Sequence, residues 1–168
     1  EKQQQSLTDW LVLAQAWYEA ELRRPVGTQA SAYLDKRGLP QDDWARFGLG
    51  YAPAGRTALK DYLVAKGAKP GDLVEAGLLI APEDGGAPYD RFRDRIMFPI
   101  RNARGQVIGF GGRVMDAGEP KYLNSPETPV FRKGHELYGL FEAKQNPGRP
   151  KQIIVVEGYL DVASLVQH

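Results

Sequence analysis

The chain has 168 residues, 42% of them apolar and 26% charged, with a formal net charge of +1, which suits an ordinary globular protein with one or two small domains. Without cysteine it holds no disulfide and no thiolate zinc site, and with only His135 and His168 as imidazole donors any metal must be carried by carboxylates. No apolar run is long enough to span a bilayer and the polar opening Glu1-Lys2-Gln3-Gln4-Gln5 has no signal-peptide pattern, so no membrane contact and a cytoplasmic location are expected.

The first half reads as short helices stopped by glycine. Ser6-Leu7-Thr8-Asp9 resembles a capping box, and Leu7, Trp10, Ala14, Trp17 and Tyr18 recur at helical spacing up to about Arg24. An aromatic stripe at that spacing makes Trp10 and Trp17 core anchors rather than platforms for bases. Thr28 can cap a second helix ending at Gly38, and Leu39-Pro40 begins a third that runs through Trp44 and Phe47 to Gly48. Gly50-Tyr51-Ala52-Pro53 reads as a connector, followed by helices over 57–66 and 70–76 that Gly67 and Gly77 close.

The β part begins at Leu78-Leu79-Ile80 and turns at Asp84-Gly85-Gly86 toward Ala87-Pro88-Tyr89. The clearest hairpin is Ile96 to Ile100, a turn at 102–105, and Gln106 to Phe110. Pro99 cannot donate to a ladder, which predicts an edge or a bulge there. Gly109, Gly111 and Gly112 lack the spacing of a dinucleotide fingerprint, and they read as a bulge or as room for another strand or a phosphate.

Pro120 to Gly139 is a proline-stiffened polar stretch of the kind that displays binding residues. Between Arg91 and Lys133 nine Lys or Arg stand against four acids, either an electrostatic footprint for a polyanion or an ordinary solvated surface. Gln145 to Pro150 reads as a linker, dividing residues 1–150 from 151–168. Ile153-Ile154-Val155-Val156 then forms a strand buried on both faces that ends at Glu157-Gly158, with a helix starting near Val162. Glu157 at a strand's carboxyl end, with Asp161 about one helical turn later, could hold Mg²⁺; a carboxylate there could equally favour the positive end of the next helix.

Taken together, Tyr89-Asp-Arg-Phe-Arg-Asp-Arg-Ile-Met-Phe-Pro-Ile100, Val107-Ile-Gly-Phe-Gly-Gly-Arg113, Pro120-Lys-Tyr-Leu-Asn-Ser-Pro-Glu-Thr128, Leu137-Tyr-Gly139 and Val156-Glu-Gly-Tyr-Leu-Asp161 resemble, in order and spacing, the motifs of bacterial DnaG-type primases. Tyr33-Leu34 and Lys36-Arg37-Gly38 fit the family's earlier helical region, so the resemblance covers nearly the whole chain. It implies an α+β fold, with short N-terminal helices packed on a small, mostly antiparallel sheet, followed by the first strand and helix of a TOPRIM unit. It implies a DNA-dependent RNA polymerase making short RNA primers on single-stranded DNA from NTPs. It makes Glu157 and Asp161 the candidate catalytic and Mg²⁺ (or Mn²⁺) ligands of an incomplete site, and Arg37, Arg113, Lys121, Asn124 and Lys133 the candidate template groove.

The sequence departs from that family's full pattern. No DxD follows Asp161, and the zinc-binding and helicase-interacting modules have no counterpart, so the chain reads as an N-terminal piece of the catalytic core that lacks activity by itself, with no zinc and no helicase contact of its own. A second reading is a single-stranded DNA-binding module without catalysis, in which Tyr122 or Phe131 stacks on bases or packs inward. A TOPRIM nuclease or topoisomerase would share the acidic motif but not the block from Arg91 to Gly139.

Overall fold

In the computed structural model of this chain, residues 2–115 and 120–132 are described. The elements follow in order: α1 (Lys2–Leu22), α2 (Thr28–Lys36), α3 (Gln41–Phe47), β1 (Gly50–Ala52), α4 (Ala58–Ala65), α5 (Pro70–Glu75), β2 (Leu79–Ile80), β3 (Tyr89–Asp90), β4 (Arg95–Arg101), β5 (Val107–Arg113) and β6 (Tyr122–Asn124). β1, β4, β5 and β6 form one antiparallel sheet in that order, and β2 pairs with β3 in a separate ribbon. The expected combination of short helices and a small antiparallel sheet is present. The expected strand and helix after Gln152 and the division at residue 150 lie outside the described residues.

β4 explains the layering. Its first six residues are all buried, so both faces of the sheet need cover. Met97 packs in a cluster with Leu7, Leu11, Tyr18, Leu59, Leu63 and Phe110. Its neighbours Ile96 and Phe98, pointing the opposite way, pack with Leu22, Ala30, Leu34, Trp44 and Phe47. The sheet is therefore sandwiched, with α1, α4 and α5 on one side and α2 and α3 on the other. Burying each such leucine or phenylalanine contributes roughly 1.5–3 kcal/mol.

α1 starts earlier than expected, at Lys2, because Lys and Gln propagate a helix readily; Ser6 to Asp9 therefore lie within it and not at its N-terminus. Leu7, Leu11, Ala14, Tyr18 and Leu22 form its buried stripe. Trp17 is buried as well, stacked on Tyr62 with centroids 5.8 Å apart, and Trp10 packs against the same cluster. A 3-10 turn at Pro25–Gly27 runs directly into α2, so Thr28 is the first helical residue and its hydroxyl donates to Pro25 O (2.8 Å). Gly48 closes α3 in the left-handed region, at φ 68°.

Gly50–Ala52 is a strand, not a connector: it pairs with Arg95–Met97. Three residues are too few for alternation to show in a sequence. A Cβ at Gly50 would lie 2.6 Å from Tyr18 Cβ and 2.7 Å from Tyr18 C, so only glycine lets α1 come this close to the sheet. Pro99 is in regular register with Phe110 and creates no bulge; β1 ends opposite Met97, so β4 is locally an edge at Pro99 although it is central in the sheet. The ladder's irregularity falls between Ile100 and Arg101 on β4 and, on β5, at Ile108 between Val107 and Gly109, so the bulge expected at the glycines sits beside Gly109, while Gly111 and Gly112 are in regular register. Gly109 and Gly112 are also closely covered: added Cβ atoms would meet Ser125 and Phe131 at 3.2–3.3 Å, and Arg95, Phe92 and Met97 at 3.1–3.2 Å.

Asp90 on β3 is buried, and its two oxygens accept from the backbone N–H groups of Leu59 (2.8 Å) and Lys60 (3.0 Å) in the first turn of α4. Burial outweighs those bonds and pushes its carboxyl up to about 6. Since the folded state then binds the proton more tightly than the unfolded chain, this group's contribution to stability is fully present below about pH 4, the ordinary Asp value, and is lost as pH rises toward 6. Chemical denaturation from pH 4 to 7 is expected to show that decline, and Asp90→Asn to flatten it. Gly50→Ala is expected to cost about 2–3 kcal/mol by the same assay, since the clash is with backbone.

Candidate nucleic-acid interface

The sheet register assembles the site. Tyr51, Ile96, Arg113 and Tyr122 lie opposite one another across four strands, in one row. Ile96 belongs to the face that α2 and α3 cover, so Arg113 at the end of β5 projects to that face as well. α2 presents Tyr33 there, because the small Ala30 and the larger Leu34 turn its apolar side to the sheet.

The Arg113 guanidinium is held between two tyrosines. It donates to Tyr33 Oη from one terminal nitrogen and to Tyr122 Oη from Nε (3.2 Å), and the first nitrogen also donates to Val114 O (2.7 Å). It stands 5.3 Å from the Tyr33 ring centroid and 5.5 Å from that of Tyr122. Arg37, one helical turn after Tyr33, lies 5.7 Å from the Tyr33 ring, and Lys121 lies 5.7 Å from the Tyr122 ring. Three cations, from the residue that ends α2, from β5 and from the residue before β6, thus share two aromatic rings. Such contacts contribute about 0.5–1 kcal/mol each at exposed sites and about 2 when desolvated, enough to offset part of the repulsion among like charges.

Three of the sequence-predicted groove residues, Arg37, Arg113 and Lys121, therefore come together, with Arg37 and Lys121 exposed and Arg113 only 7% exposed. Asn124 follows Tyr122 by two residues on β6 and so shares its face, while its backbone carbonyl accepts from Arg91 Nε (3.2 Å). Lys133, Glu157 and Asp161 lie outside the described residues. Phe131 is buried against Ile100 and Ile108, which makes it a packing residue and not a base platform.

Several contributors were not legible beforehand. Arg95 is buried and donates to Pro120 O (2.7 Å), Gly112 O (3.3 Å) and Lys121 O (3.4 Å). Burial lowers the pKa of both Arg91 and Arg95. Part of the basic excess of 91–133 is thus spent inside the protein on backbone carbonyls. Arg56, outside that block, lies 4.0 Å from the Tyr89 ring centroid, and Arg93 lies 5.2 Å from it, a second pair of cations on one ring. No spacing rule links Arg56 to Arg93; only the fold does.

The family described as DNA primase catalytic core, N-terminal domain, matches residues 17–144. The DNA primase of Escherichia coli K12 is 47% identical over 166 residues, which cover 99% of this chain and 28% of that protein. The DNA primase of Pseudomonas aeruginosa is 49% identical over 158 residues, covering 94% of this chain and 24% of its own length. Among solved structures, a DnaG primase catalytic domain bound to ssDNA is 45% identical with a TM-score of 0.84, covering 99% of this chain and 51% of that one. The RNA polymerase domain of Mycobacterium tuberculosis primase DnaG, in complex with double-stranded DNA, is 36% identical with a TM-score of 0.82, covering 95% and 50%. The chain thus spans about half of these catalytic domains and about a quarter of the curated primases.

The shared guanidinium sets a test of coupling. Tyr33→Phe and Tyr122→Phe each keep a ring and remove one acceptor from a charged donor, at an expected cost of about 1–2 kcal/mol in urea unfolding. The double variant is expected to cost less than the sum, because both changes release the same side chain.

Proposed function

The chain belongs to the family of the DNA primase catalytic core, N-terminal domain, and on that premise we propose that it guides the single-stranded template of a primase. The observation that carries this reading is the row Arg37–Tyr33–Arg113–Tyr122–Lys121. Exposed Arg37 and Lys121 offer charge to phosphates, and the buried guanidinium between the two rings fixes where those charges stand. Neutralised phosphates release counterions, which favours binding and makes it salt-dependent. The solved relative bound to ssDNA supports the same choice of ligand. Asn124 would extend the track along β6, and we assign Lys133 to it as a further phosphate contact.

The parent activity that goes with this role is synthesis of short RNA primers from NTPs during replication, in the cytoplasm, in partnership with a replicative helicase. Among the described residues no helix is long and apolar enough to cross a membrane. Primer synthesis would draw on Glu157 and Asp161 for Mg²⁺ or Mn²⁺, and we assign them to a TOPRIM start over 151–168, after a template-binding part over 1–150. Among the described residues no group of three or more His, Asp or Glu could hold a metal, so the described part does not itself fit one. What this chain's described residues do is hold and orient a strand; positioning is a large share of catalysis when the chemistry is carried elsewhere in the site. Binding without catalysis by the chain alone is compatible with this role.

Fluorescence anisotropy of a labelled single-stranded oligonucleotide across a salt series tests the proposal. Log affinity is expected to fall with log salt, and Lys121→Ala or Arg37→Ala to reduce the slope by about 0.7 each. Affinity independent of salt would overturn it. In an intact primase, Glu157→Gln is expected to suppress primer synthesis; normal synthesis would remove Glu157 from the reaction.

A further inference from the structure

We propose that Arg95 is a positioning residue for the template track: it touches no strand of DNA, and it fixes the register of the segment that carries Lys121 and Tyr122. The inference rests on the single-stranded DNA reading above and adds the residue on which that site's geometry depends.

β6 is three residues long and lies at the edge of the sheet, bonded only to β5 within it. Such a strand is weakly specified by its own ladder, and a slip of one residue would turn Tyr122 to the opposite face, away from Arg113. Backbone bonds from Val114 N–H to Lys121 O (3.1 Å) and from Ser125 N–H to Phe110 O (2.8 Å) extend the pairing by one step at each end, and Arg95 adds a side-chain tie at the end where Lys121 stands. It opens β4 on the face opposite Arg113, two residues before Met97, and its stem crosses Gly112, where an added Cβ would stand 3.1 Å from Arg95 Cδ. Its guanidinium then reaches past β5 to the chain entering β6, donating to Pro120 O at 2.7 Å and, over longer distances, to Gly112 O (3.3 Å) and Lys121 O (3.4 Å).

These acceptors lie on two different segments, so the planar fork ties β5 to residues 120–121 from behind, while Arg113 engages Tyr122 in front. Lysine keeps the charge and lacks the fork, which makes Arg95→Lys the informative variant. A charge acting directly on DNA would survive that change largely intact. A staple would not.

Two measurements on the full chain decide the matter. In hydrogen exchange, Arg95→Lys is expected to speed exchange at residues 122–125 about tenfold while β4 and β5 stay protected, as loss of a charge-assisted hydrogen bond implies. In oligo-dT anisotropy, Lys121→Ala is expected to weaken binding several-fold in the unsubstituted chain and less than about twofold in the Arg95→Lys background, the non-additivity of residues acting as a unit. Unchanged exchange at 122–125, or an equal Lys121→Ala effect in both backgrounds, overturns the proposal. If the unsubstituted chain binds no DNA, the template reading fails and hydrogen exchange alone judges the staple. If Arg95→Lys does not fold, Gly112→Ala, which crowds the Arg95 stem, takes its place with the same readings and the same criteria.

Discussion

The structure depends on the double-sided burial of β4. A strand whose two faces are both apolar must be covered twice, and the chain meets that demand with α1 on one face and the α2–α3 pair on the other. From this follows the placement of every residue in the candidate interface. α2 is brought to the sheet by Ala30 and Leu34, which meet Ile96 and Phe98; Tyr33 and Arg37 then flank the end of β5 with no further choice. The cationic row follows from packing geometry: it forms because Arg113 is the residue opposite Ile96.

The same sheet separates two uses of arginine. On the α2 face, Arg113 is ringed by aromatic hydroxyls and leaves Arg37 and Lys121 at the surface. On the other face, Arg95 donates to backbone carbonyls of residues 112, 120 and 121. Arg, with five donors in a fixed plane, suits both tasks where Lys would suit neither as well. A count of positive charge between Arg91 and Lys133 therefore overstates the charge available to a polyanion, and the location of the charge matters more than its sum.

Much of this was legible in the sequence, and the limits have physical causes. Helices stopped by Gly48, Gly67 and Gly77 could be read because a left-handed closing residue is a local requirement that glycine meets. The β4–β5 hairpin was visible because Ile96 to Ile100 is a run long enough to show burial. β1 was not visible, since Gly50 and Ala52 make a strand only by pairing with a segment more than forty positions away. The meeting of Arg37, Arg113 and Lys121 was anticipated through family motifs, which carry tertiary information that spacing does not. The tyrosines that join them, and Arg95 behind them, depend on cross-strand register, for which no local pattern exists.

A site for a flexible polyanion faces a specific difficulty: the side chains with the right charge, Lys and Arg, are also those with the most rotamer freedom to lose on binding. If this row is such a site, that loss is reduced in advance. Arg113 is immobilised by two hydroxyls and a carbonyl, and its neighbours Arg37 and Lys121 each lie over a ring that Arg113 also contacts. Each cation–π contact is small, yet together they narrow where the exposed charges sit, so that under the proposed role a strand would meet a partly ordered row and not three independent flexible arms. The cost is carried in the apo protein as clustered positive charge, softened by the electron-rich faces of Tyr33 and Tyr122. Binding phosphate would relieve that clustering, so affinity gains both from the new contacts and from the repulsion they remove.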